Sequence, residues 1–285
     1  MNPAVAADGV GTRHPDQSHS PRGGTTTACP ICGFERPLYE FAARHVTVGK
    51  CGSERCGHLY AIGAGKDAGI QSHEWLTEEA PKFAERNERL VRFWQARRFL
   101  TPETDVLDIG SGGGHIAAAA RRAARSVTCL EPDAGANEAL AARGFPVAGS
   151  LDEMKGRRFG AILLTEVIEH VEDPVSMLRR CADLLAPGGR IFLTTPCGEL
   201  ASGSHGTHAY DTKEHVQFFT EHSLQVACTL AGLPSVSFLN PGVMAPSGEG
   251  VERIKSAVKA VARPVRDLLF GRHHLVAFVG RGDEA

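Results

Sequence analysis

No apolar run in this sequence approaches the roughly 20 residues that a helix needs to cross a bilayer, so no membrane-spanning helix is expected. The first 28 residues hold almost no large apolar side chains and no stretch resembling the apolar region of a secretory signal. They read as disordered. An excess of charge of one sign is also missing: 31 Lys and Arg stand against 33 Asp and Glu, a formal net charge of −2. A nucleic-acid partner would therefore need a local basic patch. No internal repeat is visible. What is present is an ordinary globular composition, 42% hydrophobic and 22% charged, over 285 residues. That length suits one large domain, alone or with a small accessory module. A cytoplasmic setting is expected, in which thiols stay reduced and clustered cysteines signal metal more often than disulfide.

Half of the 8 cysteines fall in one short window. Cys29 and Cys32 have C-x-x-C spacing, and Cys51 and Cys56 follow with four residues between them. Four thiolates in two close pairs suit a tetrahedral structural zinc, which stabilises a module too small for a core of its own. The wide second pair leaves His58 as an alternative ligand, and four unrelated thiols are the competing reading. Cys129, Cys181, Cys197 and Cys228 are scattered on presumed core elements and read as small buried hydrophobes. The expected division is a disordered segment at 1–28, a zinc-binding module at 29–62 and a larger domain at 72–285.

Residues 72–100 have helical periodicity, with Ser72 as N-cap and an interruption near Pro81. Beyond Pro102, short apolar strands alternate with helices. Strands are expected at 106–110, 127–132, the "FPVAG" run, 160–166, 190–196, the "SVSFLN" run and 274–281. Helices are expected after the glycine turn to about Arg125, after the second strand to about Arg143, from the Asp173 cap to about Leu185, and over 221–233. Continuously apolar strands alternating with helices imply a mostly parallel sheet covered on both faces.

The sharpest local signal is "VLDIGSGGGH". A strand runs into Gly110, Gly112 and Gly114 and then a helix, which lets the backbone approach a ligand closely. The dinucleotide fingerprint would require glycine at position 115, where this chain has His115. Asp108 precedes the turn. It is a poor neighbour for pyrophosphate and a good one for a cationic amine or sulfonium. Glu131, at the tip of the second strand, is placed to accept ribose hydroxyls.

"LDIGSGGG", "LEPD", "AILLTEVIEHVEDP" and "LLAPGGRIFLTTP" together resemble the class I S-adenosylmethionine-dependent methyltransferases over residues 75–240, with 274–281 resembling their antiparallel seventh strand. The resemblance implies an α/β, Rossmann-like seven-stranded methyltransferase sheet with helices on both faces, and S-adenosyl-L-methionine as cofactor. It implies that Asp108, Gly110, Ser111, Gly112 and Gly114 line the methionine end and that Glu131 with Pro132 holds the ribose. It further implies that Ser150, Leu151 and Asp152 lie near the adenine, and that Thr165 borders the cofactor. A nucleotide-binding domain for another cofactor is the alternative.

"LLTEVIEHVEDP" ends a buried strand in Glu166, Glu169 and His170, at the carboxyl edge of the sheet where ligands bind. On a helical turn the three would share one face. With His215 they form a candidate catalytic group and a candidate second metal site, for Mg²⁺, Mn²⁺ or Zn²⁺. A histidine general base and a purely structural role are the other readings. The E-x-x-E-H pattern with a downstream histidine resembles the ubiquinone-biosynthesis O-methyltransferases and the small-RNA 3′-terminal 2′-O-methyltransferases. The four-cysteine module resembles those preceding some sugar- and antibiotic-pathway methyltransferases and one class of ribosomal RNA guanine methyltransferases. His205, His208 and Tyr210 fall in a glycine-rich loop expected to cover the acceptor pocket.

The basic segment 249–270 reads as an amphipathic helix packed on the domain; a lid, a homodimer contact and a membrane-surface helix are alternatives. The expected activity is methyl transfer to oxygen on a small-molecule biosynthetic intermediate. RNA methylation gripped by the zinc module, N- or C-methylation, and a cofactor-binding protein without turnover remain open at this point.

Overall fold

In the computed structural model, residues 28–43, 45–63, 81–199, 208–210, 212–239 and 274–282 are described. The cysteine-rich segment forms β1 (Pro37–Ala42), β2 (Thr47–Cys51) and β3 (Leu59–Ile62), an antiparallel meander. Then come α1 (Pro81–Ala96), β4 (Asp105–Ile109), α2 (His115–Ala120), β5 (Ser126–Leu130), α3 (Ala134–Ala142), β6 (Val147–Ala148) and β7 (Phe159–Thr165). They are followed by α4 (Pro174–Leu184), β8 (Leu185–Pro196), β9 (Gln217–Phe218), α5 (Glu221–Leu230), β10 (Ser235–Phe238) and β11 (His274–Gly280).

The larger sheet has seven strands in the order β10-β11-β8-β7-β4-β5-β6. Its β8, β7, β4, β5 and β6 are parallel, and β11 returns antiparallel between β10 and β8. The strands read as continuous apolar runs because both faces are covered. Ala161, Leu163, Phe192, Val276 and Phe278 point into one core with Trp94, Phe99 and Ala117 of the α1–α2 side. Ile162, Leu164, Ile191, Leu193 and Ala277 point into the other, with Leu178 and Cys181 of α4 and Ala227 and Cys228 of α5. Successive buried residues of β7, β8 and β11 thus enter opposite cores, as the period of 2 requires.

Asp173 caps α4 as expected, accepting from Ser176 N–H at 2.9 Å, and Asp133 likewise caps α3, accepting from Ala136 N–H at 2.7 Å. Other boundaries differ. α2 stops at Ala120 and not near Arg125, and α5 stops at Leu230. The described part of the expected 72–100 helix is α1, from Pro81 to Ala96; the residues before Pro81 lie outside the described ones. The Ser72 cap, the 1–27 portion of the expected disordered segment, His205 and the 249–270 helix lie outside the described residues.

The cysteine module shares structure with the larger domain. β9, from the region after β8, pairs antiparallel with β3 and completes a second sheet, β1-β2-β3-β9. Cys29, Cys51, Cys56 and Tyr60 belong to the same buried core as Leu164 and Phe219.

Candidate active site and cysteine cluster

The glycine turn after β4 is built as its composition demands. Gly110, Gly112 and Gly114 have φ of 69°, 48° and 69°, in the left-handed region that costs other residues strain. Gly110 has a second reason: a Cβ there would lie 2.5 Å from Cγ2 of Val167. The turn is thus pressed against the segment that carries Glu166, Glu169 and His170.

Glu131 follows β5 and closes the turn from the side. Its carboxylate accepts from Gly112 N–H at 2.9 Å and from Asp133 N–H at 3.1 Å. Each oxygen keeps a lone pair for a further donor. Ser111 Oγ donates to the carbonyl of Asp108 at 2.7 Å. Asp108 is buried, and its Oδ2 has no partner among the described residues. Burial, and then the charge of Glu131, push its carboxyl up to about 7. A buried, unpaired acid fits a cationic ligand such as the sulfonium of S-adenosylmethionine.

The adenine-side residues sit after β6. Leu151 is buried, while exposed Ser150 donates to Oε1 of Glu153 at 3.2 Å. Asp152 pairs with Arg180 at 2.6 Å. Pro132 is exposed and Thr165 half-buried at the end of β7.

Glu166, Glu169 and His170 do not share a helical turn as their spacing suggests. Glu166 takes φ 55°, a rare conformation for a residue other than glycine, and only Ile168–His170 form a short 3-10 turn. The two carboxylates therefore part. Thr194 Oγ1 donates to Glu166 Oε1 at 2.6 Å, and Thr195 Oγ1 donates to Glu169 Oε2 at 3.0 Å. Adjacent strand residues point to opposite faces, so the two acids leave by opposite faces of β8.

On the first face, His274 at the start of β11 lies 3.2 Å from Glu166 Oε2. Partial desolvation pushes the half-exposed Glu166 carboxyl up, but the hydrogen bond and charge of His274, with the Thr194 hydroxyl, outweigh it and hold it below the usual range. His274 is raised by the same hydrogen bond. No local pattern marks this pair, because strand pairing alone brings position 274 to the end of β7.

On the second face, Glu169, His170 and His215 each bring one ligand atom within 4.8 Å of the other two. Glu166 is not part of this cluster. The His170 and His215 rings meet edge to face, with centroids 4.8 Å apart. His170 Nδ1 donates to the carbonyl of Glu214 at 3.0 Å, and His215 Nδ1 donates to that of Ala209 at 2.9 Å. A carbonyl only accepts, so each neutral ring carries its proton on Nδ1 and its lone pair on Nε2. Glu169 is buried, and its Oε1 has no partner among the described residues. Burial, and then the charge of Glu166, raise its pKa well above the usual range. Burial lowers that of His215. Tyr210 is buried and donates to the carbonyl of Gly198 at 2.6 Å, a structural role in the wall below His215.

Cys29, Cys32, Cys51 and Cys56 form the other tight cluster among the described residues. The Sγ atoms of Cys29 and Cys56 are 3.7 Å apart and those of Cys32 and Cys51 are 3.4 Å apart. A tetrahedron with metal–sulfur bonds of about 2.3 Å has edges of about 3.8 Å, so the four sulfurs fit one zinc ion. His58 is not an alternative ligand. It is buried behind the cluster, with Nδ1 3.1 Å from Ser223 Oγ and Nε2 2.9 Å from Gln217 Oε1.

A family model described as a methyltransferase domain matches residues 76–237, more than half of the chain. The chain belongs to this methyltransferase family. Among curated proteins it is similar to the ubiquinone biosynthesis O-methyltransferase of Xanthomonas campestris, 34% identical over 113 residues, 35% of this chain and 46% of the relative. The protein of that name from Pseudomonas paraeruginosa is 32% identical over 137 residues, 44% of this chain and 58% of the relative. The chain thus spans about half the length of the curated relatives it matches. Among solved structures, a putative sarcosine dimethylglycine methyltransferase from Galdieria sulphuraria shares the fold with a TM-score of 0.51 at 18% identity, covering 76% of this chain and 94% of that one.

Proposed function

We propose that this methyltransferase transfers the methyl group to a hydroxyl oxygen of a small biosynthetic intermediate, with a divalent cation held by Glu169, His170 and His215. The observation that carries this reading is the unpartnered Oε1 of Glu169, beside two imidazoles whose Nδ1 atoms are already engaged by carbonyls. Two such imidazoles with one carboxylate, each ring fixed by its other nitrogen, have the character of a divalent metal site with open positions. A bound cation would lower the pKa of an acceptor hydroxyl and orient it. The chain's own part is to fix these groups beside the glycine turn through Val167, and to present Asp108 to the sulfonium. Similarity to O-methyltransferases of ubiquinone biosynthesis supports oxygen as the acceptor atom. We assign Cys29, Cys32, Cys51 and Cys56 to a structural zinc.

The test is methyl transfer from labelled S-adenosylmethionine to a panel of catechols and phenols, with and without EDTA. Turnover should disappear with the chelator and return with Mg²⁺ or Mn²⁺, and His215→Ala should abolish it. Full turnover in EDTA would replace the cation with a histidine base. Methylation confined to amines or carbon acids would overturn the oxygen assignment.

A further inference from the structure

We infer that the cysteine module positions the Glu169–His170–His215 cluster, with His58 and Gln217 as the positioning residues. This assignment rests on the reading of those three groups as the site, but it concerns only how they are held.

The segment just after His215 lies between the module and the cluster. On one side, Tyr60 and Leu59 of β3 pair with Gln217 and Phe218 of β9, and Ala61 N–H donates to the carbonyl of Val216 at 3.0 Å. On the other, Val216 N–H donates to the carbonyl of Glu169 at 2.8 Å. A backbone path thus runs from β3 through Val216 to Glu169.

The side chain of Gln217 repeats the connection. Its Nε2 donates to the carbonyls of Val171 and Glu172, the two residues that follow His170, at 2.8 and 3.3 Å. Those two carbonyls fix the amide's orientation, so Oε1 faces back to His58 at 2.9 Å and His58 Nε2 must be the donor. The other nitrogen of His58 then accepts from Ser223 Oγ, inside the capping box of α5. His58 stands two residues after Cys56, so the loop that the cysteines close sets where its ring lies.

The carbonyl that orients His215 is held by the same module. Ala209 and Tyr210 share a small core with Val48, Leu59 and Phe218, and the Tyr210 ring meets Phe41 of β1 edge to face at 5.8 Å. Both the chain after His215 and the acceptor of its Nδ1 proton are therefore packed on the cysteine module. Buried polar chains of this kind hold one arrangement only when every member is satisfied.

The test is amide hydrogen exchange, with ¹⁵N chemical shifts of the His215 ring, on the full zinc-loaded chain. It needs neither acceptor nor added cation, so its outcome is independent of the proposed methylation chemistry. His58→Phe keeps the ring and removes both nitrogens. Exchange at Val216 should rise about tenfold, on the scale of one buried hydrogen bond lost. The His215 ring should lose its single Nδ1–H tautomer, while zinc content and S-adenosylmethionine affinity stay unchanged. His58→Gln, which can still donate to Gln217, should recover most of the effect. Should His58→Phe not fold, Gln217→Met gives the same reading. Unchanged exchange and an unchanged His215 tautomer would overturn the assignment. So would an equal rise at Leu107 and Val276, which would mark His58 as a general packing residue.

Discussion

Asp108 and Glu131 lie at the carboxyl ends of adjacent parallel strands, and the two buried acids are treated in opposite ways. Glu131 accepts two backbone N–H donors, whereas Asp108 Oδ2 has no partner among the described residues. In the proposed cofactor site Glu131 would cradle neutral hydroxyls, and Asp108 would be completed by the positive charge of a sulfonium but not by the neutral thioether of the product.

That asymmetry predicts a pH dependence for cofactor binding. Burial and Glu131 raise Asp108 to about 7, so its charge is lost as pH falls below that value. S-adenosylmethionine should bind more weakly at pH 6 than at pH 8, by up to about tenfold per unit below the pKa. S-adenosylhomocysteine should change much less. Calorimetric titrations at the two pH values decide it, and equal slopes for both ligands would contradict the role given to Asp108.

The same shift has a stability consequence. The folded-state value of about 7 lies above the ordinary 3.8. The folded chain therefore binds this proton more tightly, and the contribution is fully present below the unfolded pKa. It is lost as pH rises through the window from about 4 to about 7. At pH 8, Asp108→Asn should leave the cofactor-free protein at least as stable as wild type, with a Tm equal or a few degrees higher. Cofactor affinity should fall sharply. A large drop in Tm would mean that Asp108 is structural.

Gly110→Ala should cost stability through two separable causes. Left-handed backbone costs a residue with a Cβ about 1–2 kcal/mol, and the new Cβ also meets Val167 at 2.5 Å. Val167→Ala in the same chain should recover only the steric part. Complete recovery in denaturant titrations would show that φ is relaxed in the variant.

Zinc release, by chelation after Cys56→Ser, should lower the unfolding temperature of the whole chain in one transition. Cys56 and Tyr60 share a core with Leu164 and Phe219, and β3 pairs with β9. Two calorimetric transitions, of which only the first responds to zinc, would show that the module unfolds alone.

The Glu166–His274 pair adds a smaller effect of the same sign through its histidine. His274 is raised by its bond to Glu166, so its contribution is present below the unfolded histidine pKa and fades as pH rises through the folded value. The side chains remain 41% and 37% exposed, so solvent screening limits the pair to about 1 kcal/mol or less. His274→Asn should lower Tm more at pH 5.5 than at pH 8; the reverse order would contradict the ion pair.

The sheet was legible because its strands are buried on both faces and its turns need glycine, which leaves a local mark in composition. The four cysteines were legible by spacing. The geometry around Glu166 and Glu169 was not. A helical spacing suggested one face, but the left-handed residue at 166 and the alternation of Thr194 and Thr195 divide the acids between two faces. His274 and the His58–Gln217 link depend on pairings between segments 108 and 159 residues apart, and no local pattern carries such information.

The cation proposed at Glu169, His170 and His215 is tested most directly by Mn²⁺ titration followed by electron paramagnetic resonance of the free ion. The zinc-loaded chain should remove one equivalent of Mn²⁺ from solution below about 1 mM, the weak end of such sites. Glu169→Gln and His215→Ala should each abolish this uptake, while Glu166→Gln should leave it in place. Uptake that survives both of the first two variants, or no uptake in the wild type, would contradict the site.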